Sequence, residues 1–329
     1  GSGRFFMCGP GDPEGFLYRG RLRADGTRDG DQARLIEKLK STGANCIYMM
    51  AVRSHGGDGD ETENPFVDHD PSKPVNEKVL AQWEQWFDAM DRSGIVIYLF
   101  LYDDSVRLWN TGDRVGQTEQ RFIKTLVDRF EHHKNLIWCI AEEYQEALSA
   151  KRASRIAALI RQADDYDHAI AIHKLNGLDF SEFADDPNID QFAIQYNVSS
   201  ADQLHTGLLK AWRDAKGRYN LNMSEAADFG TGPESRRKCW ACAMAGAYVM
   251  ILGMDIEHTS RDDLEDCGRL VRFFESVDFE TTSPHDELGW AGTKYVLADP
   301  GRCYIVYADN SDGTIGLRGM KGGSYEMRW

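Results

Sequence analysis

Residues 136–143 read Leu-Ile-Trp-Cys-Ile-Ala-Glu-Glu, an apolar run that ends in two carboxylates. Such a short, uninterrupted apolar run is typical of a parallel strand that is covered on both faces. The carboxylates follow the carboxyl end of this strand, which is where parallel α/β folds place their functional groups. The stretch therefore indicates a parallel α/β fold with its chemistry at one edge of the sheet.

Similar apolar runs alternate with amphipathic segments along most of the chain. They predict strands at 5–8, 45–52, 95–102, 136–141, 169–173, 189–196, 219–224 and 248–254. Helices are predicted near 30–42, 76–93, 115–133, 145–164, 201–215, 233–246 and 261–276. Eight strands in β–α order are the number that closes a (β/α)8 TIM barrel. An open doubly wound sheet is the alternative, but no glycine-rich phosphate turn follows the first predicted strand.

The pattern changes near residue 285. Short strands separated by turn residues are predicted at 294–297, 302–307, 314–317 and 324–329. So few strands cannot bury a core of their own. We therefore expect a barrel over residues 1–284 and a small all-β, sandwich-like module over 285–329 that packs against it.

The composition limits the class of protein. Among 329 residues, 42% are hydrophobic, which supports a folded core, and 53 acidic against 38 basic residues give a formal charge of −15. This charge argues against a nucleic-acid or anionic-membrane partner. The longest apolar stretch, 239–254, is shorter than the ~18 residues of a membrane span. The seven scattered cysteines do not predict a disulfide framework. Oligomeric state and localisation, cytoplasmic or exported, stay open.

A second carboxylate is predicted at the barrel mouth. The seventh strand ends in Asn-Met-Ser-Glu at residues 222–225, so Glu225 lies across the mouth from Glu142 and Glu143. Glycoside hydrolysis needs such a pair, one carboxyl to donate a proton and one carboxylate to attack or to activate water. A merely acidic helix start, favoured by the helix dipole, would explain the first two residues but not Glu225.

Several further segments carry a family resemblance. They are residues 43–45, 135–138, 246–248, 270–274 and 294–299. With them the chain resembles the clan of retaining glycosidases that carry the acid/base and the nucleophile on strands four and seven. More narrowly, it is similar to apiosidase-like barrels followed by a β-module labelled collagen-binding. The resemblance implies that Glu143 is the acid/base and Glu225 the nucleophile.

The chain also departs from that family. The clan usually has Asn where this chain has Glu142, and apiosidase-like members usually have Asp in place of Glu143. A Trp near the end of strand eight is missing, and that region carries Asp255, Glu257 and His258. These departures bear on the substrate more than on the class of reaction.

The other strand ends supply candidate substrate-binding residues. They are Arg53, His55, Asp103, Glu142, His173, Lys174, Tyr196, Asn197 and His258. In the clan, an Arg after strand two and an aromatic residue or His after strand six support the nucleophile, which implies this role for Arg53 and Tyr196. Arg53 and Lys174 together could hold a substrate carboxylate or sulfate. His173 is equally compatible with a hydrogen-bonded core residue.

The predicted function is a glycoside hydrolase acting on a plant or algal oligosaccharide or polysaccharide, with retention and without a cofactor or metal. A non-catalytic carbohydrate-binding barrel is the alternative. A metal-dependent hydrolase is disfavoured, because no His-x-His follows the first strand and the histidines show no ligand spacing. The acidic loop 55–64 is read as a flexible mouth loop rather than a calcium site.

Overall fold

The computed structural model describes residues 4–12, 14–226, 230–309 and 313–328. Its main sheet has eight parallel strands: β1 Cys8–Asp12, β2 Cys46–Met50, β3 Val96–Tyr102, β4 Leu136–Ala141, β5 Ile170–Lys174, β6 Gln191–Gln195, β7 Asn220–Glu225 and β8 Ala247–Asp255. Each strand from β2 to β7 pairs with its successor, and β8 also pairs with β1. The order is that of a TIM barrel, which confirms the predicted fold class.

The barrel closes between β1 and β2. The Asn45 backbone N–H donates to the carbonyl of Cys8 at 3.0 Å. The Asn45 side chain adds two contacts across the seam, accepting from the Cys8 N–H at 2.9 Å and donating to the carbonyl of Phe6 at 2.8 Å. Gly9 permits this approach, because a Cβ at that position would lie 2.8 Å from the backbone nitrogen of Cys46. The seam therefore depends on a glycine and an asparagine rather than on apolar residues.

Seven helices cover the outside of the barrel in the described residues: α1 Gln32–Thr42, α2 Glu77–Arg92, α3 Gln117–Phe130, α4 Ala150–Ala163, α5 Ala201–Ala215, α6 Gly232–Met244 and α7 Arg261–Glu275. Side chains of Asn76, Ser149, Ser200 and Ser260 cap four of them. Between β5 and β6 there is only the 3-10 turn Ser181–Phe183. None of the described helices has the length and hydropathy needed to cross a bilayer.

The barrel interior holds a compact set of aromatic and polar side chains. The Tyr48 and Tyr98 rings are nearly parallel, with centroids 6.4 Å apart, and Phe100 packs 4.2 Å from Tyr48. Tyr98 is fully buried and donates its hydroxyl to Gln191 at 2.7 Å. These rings form the floor beneath the mouth, so the site above them rests on a packed base rather than on a channel.

Small antiparallel sheets follow the barrel. Strands β9 Ser283–Pro284, β11 Tyr295–Asp299 and β12 Cys303–Tyr307 form one sheet, and β10 Gly289–Ala291 pairs with β13 Ile315–Leu317. This part of the chain packs on α5 and α6. Tyr295 donates its hydroxyl to Asp202 at 2.5 Å, and the Tyr307 ring stacks on Trp240 at 5.6 Å. The domain boundary at residue 285 stays a prediction.

Two strand predictions were wrong. The first strand begins at Cys8 instead of residue 5, and the segment 324–328 has no regular structure, while Trp329 lies outside the described residues. The first error arises because β1 contains Gly9 and Pro10, which interrupt an apolar run. The strand forms in spite of these two residues because β8 pairs with it, and Gly9 is needed because β2 comes too close to leave room for a side chain.

Candidate active site

Glu143 begins a tight turn directly after β4. Its backbone is left-handed, with φ 35° and ψ 49°, and it starts the 3-10 turn Tyr144–Glu146. A non-glycine residue in this conformation stores strain of about 1–3 kcal/mol and is a frequent mark of functional sites. The Glu143 N–H donates to Nδ1 of His173 on β5 at 3.0 Å. The turn is therefore fixed by a side chain from the next strand.

His173 connects the two carboxylate-bearing strand ends. It is fully buried, and burial lowers its pKa to about 3, so the imidazole is neutral at physiological pH. Because Nδ1 accepts a hydrogen bond, the ring proton is on Nε2. Nε2 lies 3.9 Å from Oε2 of Glu225, and the structure gives neither atom a closer hydrogen-bond partner. A small movement would make this a direct hydrogen bond.

Gln195, the last residue of β6, influences the pKa of both carboxyls. Its Oε1 accepts the Asn176 N–H at 2.5 Å, which leaves the amide NH2 as the donor. Hydrogen bonding to Gln195 lowers the pKa of Glu143 and also that of Glu225. The sequence analysis selected the two residues after Gln195 and missed Gln195 itself. The available signal was a polar amide at the carboxyl end of a strand whose three central residues, 192–194, are apolar.

The two carboxyls ionise in a defined order. Burial raises the pKa of Glu143, and the charges of Glu225, Glu146 and Asp104 add to the rise against the opposing effect of Gln195, so that the pKa reaches about 7. Burial also raises the pKa of Glu225, but no neighbouring carboxylate contributes to that rise. Glu225 therefore loses its proton first, and its charge helps Glu143 to keep its own. Such divergence is expected of a general acid beside an ionised partner.

Glu142 points into a second group of acids on the floor of the mouth. It is buried, and its Oε1 accepts the Tyr48 hydroxyl at 2.9 Å. Burial raises its pKa well above the usual range, and Glu14 and Asp103 add to this rise. One oxygen from each of Glu14, Asp103 and Glu142 lies within 4.8 Å of the others. This crowding favours a protonated Glu142 that can donate a hydrogen bond.

Arg53 is bound by three carboxylates. Its Nε donates to Asp103 at 3.1 Å, Nη1 to Glu63 at 3.0 Å and Nη2 to Glu14 at 3.2 Å. The guanidinium is only 13% exposed. It lies against Glu14 and Asp103, the two acids beside Glu142, so a metal cation there would meet a fixed positive charge. The structure thus gives Arg53 a role in holding the acidic floor together.

The other predicted substrate-binding residues have different surroundings. Lys174 donates to Glu182 at 2.6 Å, and the Tyr196 ring packs so tightly on α5 that a Cβ at Gly207 would lie 2.5 Å from it. The remaining three are exposed and lie at loop positions: His55 contacts Ser54, Asn197 donates its N–H to Asn176, and His258 pairs with Asp255. Of the predicted substrate-binding residues, the structure therefore brings the His173 side chain directly to the carboxylate pair. Tyr196 contacts Glu225 through the backbone, since the Tyr196 N–H donates to the Glu225 carbonyl.

The fold and these strand-end carboxylates define a class of protein, the TIM-barrel glycoside hydrolases. Residues 24–253 match the family described as "Apiosidase-like, catalytic domain". This match covers well over half of the chain, so the chain belongs to the apiosidase-like family, as the sequence analysis predicted. No curated protein matches the sequence.

Solved structures share the fold at low sequence identity. A Bacteroides vulgatus ATCC 8482 protein, provisionally described as a glycoside hydrolase, matches with a TM-score of 0.68 and 14% identity, over 90% of this chain and 64% of its own. A glycoside hydrolase family 5 protein from the same organism matches with a TM-score of 0.62 and 14% identity, over 89% of this chain and 74% of its own. The endo-β-1,4-mannanase from Thermotoga petrophila matches with a TM-score of 0.60 and 9% identity, over 86% of this chain and 80% of its own. The chain thus spans less than two thirds of the first of these relatives.

Proposed function

We propose that this domain hydrolyses O-glycosidic bonds by a retaining double displacement, with Glu143 as acid/base and Glu225 as nucleophile. The observation that carries the proposal is the order of ionisation. The pKa of Glu143 is raised to about 7 by burial and by neighbouring carboxylates, whereas only burial raises the pKa of Glu225. Around neutral pH the site then holds one acid and one carboxylate, as this reaction requires.

The reaction proceeds in two steps. In the first, Glu225 attacks the anomeric carbon while the Glu143 proton passes to the glycosidic oxygen, so the leaving sugar departs as an alcohol and a glycosyl–Glu225 ester remains. In the second, Glu143 takes a proton from water, the resulting hydroxide attacks the same carbon, and the ester bond breaks. Two inversions give net retention. The proton taken from water restores the acid form of Glu143, while the proton donated first leaves with the departing alcohol.

Neutral neighbours position both groups. The Gln195 side chain lowers the pKa of both carboxyls, and the neutral His173 holds the Glu143 backbone on one side and faces Glu225 on the other. These contacts come from rigid strand ends, which is how barrel enzymes keep reacting groups aligned. The protonated form of Glu142, which stands where relatives have an amide, would offer a donor to a sugar hydroxyl.

The charges at the mouth support a neutral glycan as substrate. Arg53 and Lys174, the cations proposed from the sequence to bind a sulfate or carboxylate, are both engaged by acids of the protein itself. The surrounding acidic side chains would repel an anionic sugar. Plant or algal oligosaccharides and polysaccharides without charge are therefore the proposed substrates. The structural neighbours include proteins named as an endoglucanase and a mannanase.

The test is reducing-sugar release from a panel of neutral and sulfated or uronic-acid glycans, with wild type beside Glu225→Gln. Cleavage of a neutral glycan that is lost in the variant supports the proposal, and NMR of the first-formed anomer decides retention. Equal cleavage by both proteins would exclude Glu225 as nucleophile. Binding of a glycan with equal affinity by both proteins, and no cleavage by either, would support the carbohydrate-binding barrel instead.

A further inference from the structure

A second group of ligand-type side chains lies at the opposite end of β4 from the mouth. Glu84 and Asp88 are one turn apart on α2, and His132 and His133 follow the end of α3, just before β4. One ligand atom from each of the four lies within 4.8 Å of the other three. Three clusters of possible metal ligands are found in the described residues, and this is the one that contains histidines.

The spacing of these atoms matches a metal coordination shell. Nε2 of His132 lies 2.9 Å, and Nε2 of His133 3.0 Å, from the same Oε1 of Glu84. In a tetrahedral zinc site with bonds of about 2.0–2.1 Å, neighbouring ligand atoms are about 3.3 Å apart. An expansion of a few tenths of an ångström would therefore admit an ion between the side chains that already converge.

The imidazole of His133 is aimed into this group and lacks a hydrogen bond. Its side chain is 1% exposed, yet Nε2 has no partner with hydrogen-bond alignment despite the short contact to Glu84. The ring is held between Phe87 and Phe130, with centroids 5.9 and 6.3 Å away. A buried, unsatisfied nitrogen is costly unless something else binds it. A cation among the four side chains would do so.

The surroundings prepare His133 for ligation. The His133 carbonyl accepts Nε2 of His168 at 2.9 Å, and the other ring nitrogen of His168 is hydrogen-bonded to Asp164. Such outer contacts fix the orientation of ligands. They hold the backbone of His133 in place whether or not the site is filled.

The nearby arginines leave the facing oxygens accessible. Arg129 approaches Oε2 of Glu84 at 2.6 Å, the oxygen that does not face the imidazoles, and Arg92 approaches Asp88 from its own helix at 3.5 Å. Both carboxylates thus keep an oxygen for the group. Arg129 orients Glu84 and offsets part of the negative charge.

We propose that Glu84, Asp88, His132 and His133 bind one divalent transition-metal ion of the zinc type, which links α2 to the α3–β4 connection. Two imidazoles with two carboxylates suit zinc and its neighbours, whereas calcium and magnesium prefer oxygen ligands alone. The ion would stabilise the barrel at its amino-terminal face and take no part in the chemistry at the mouth.

The first experiment titrates the tag-free, chelator-treated protein with ZnCl2 by calorimetry. We expect one site per chain, and at least ~10-fold weaker binding by His132→Gln, since even outer-shell changes cost that much. The His132 side chain is half exposed, so this variant should fold. His285→Gln, which changes a histidine paired with Glu287 in the C-terminal sheets, is the matched control and should bind as wild type does.

A second readout uses Co²⁺ in place of zinc. A tetrahedral site of two nitrogens and two oxygens gives intense visible absorption bands, and Asp88→Asn should abolish or shift them. Thermal unfolding of the same proteins should show a rise in Tm with Zn²⁺ for wild type that both variants lose. The proposal is overturned if wild type binds Zn²⁺ without saturation or not at all, or if both variants retain wild-type affinity.

Discussion

The proton-donor role of Glu143 can be tested by removing a neighbouring charge. Glu146 lies one turn further along, and one oxygen from each of Asp104, Glu143 and Glu146 lies within 4.8 Å of the others. Glu146→Gln keeps the shape of the side chain and its hydrogen bond from the Ser105 hydroxyl. Because a like charge raises the pKa of Glu143, its removal should lower that pKa.

The size of the effect follows from Coulomb's law. Two charges 4.8 Å apart interact by about 0.9 kcal/mol in water and about 3.5 kcal/mol at an effective dielectric constant of 20. At 1.36 kcal/mol per pKa unit, these energies correspond to roughly 0.6 and 2.5 units. The pKa of Glu143 rises from 4.5 to about 7 in total, and burial and Glu225 contribute more than Glu146. The smaller value therefore applies, and we expect Glu146→Gln to lower the pKa of Glu143 by about 0.5–1 unit.

The assay is kcat/KM against pH at low ionic strength, on the best substrate from the glycan panel. The alkaline limb reports the pKa of the acid in the free enzyme, so it should lie near 7 in wild type and lower in Glu146→Gln. Glu37→Gln, at an exposed ion pair with Lys40 on α1, is the control and should leave the limb unchanged. An alkaline limb that does not move, or that moves to higher pH, refutes the assignment of Glu143 as the titrating acid.

Three further predictions concern other contacts. Gln195→Leu removes the shared donor, so the pKa values of Glu143 and its partner rise and both limbs of the pH profile should move to higher pH; unchanged limbs would contradict this. Gly9→Ala forces a Cβ against the neighbouring backbone at the barrel seam and should cost about 1–3 kcal/mol in urea unfolding, whereas a loss below 0.5 kcal/mol would show that the seam can open. Arg152→Met leaves Glu119 buried and unpaired, and calorimetry should show a loss of about 3–5 kcal/mol unless water reaches that carboxylate.

Most of the fold could be predicted because its signals are local. All seven helices and seven of the eight barrel strands coincide with amphipathic or apolar segments, and side-chain caps such as Ser149 mark helix starts. The exception, β1, is determined by its neighbours. Gly9 is required by the proximity of β2, a contact 37 residues away in sequence that leaves no periodic trace. The strand at 324–329 was predicted from the turn residues before it, and residues 324–328 pair with no strand among the described residues.

The candidate site was predictable only by position. The rule that barrel chemistry sits at carboxyl strand ends led to Glu143, Glu225 and His173, since these residues directly follow or end apolar runs. The same rule could not tell that Arg53 would be enclosed by three acids or that the Tyr196 ring would turn toward α5. Those outcomes depend on side-chain directions and on loops that meet in space.

The electrostatics of the mouth follow from where its cations are held. Burial and the neutral amide of Gln195 are the influences on the pKa of Glu225, and the imidazole facing it is uncharged. Arg53, the residue that the family resemblance assigned to the support of the nucleophile, is held instead by Glu14, Glu63 and Asp103. Among the described residues no cation is a main influence on either pKa, so burial keeps both raised, and the charge of Glu225 helps Glu143 to stay protonated. A cation beside Glu225 would weaken that coupling, so the acidic clamp on Arg53 helps Glu143 remain an acid near neutral pH.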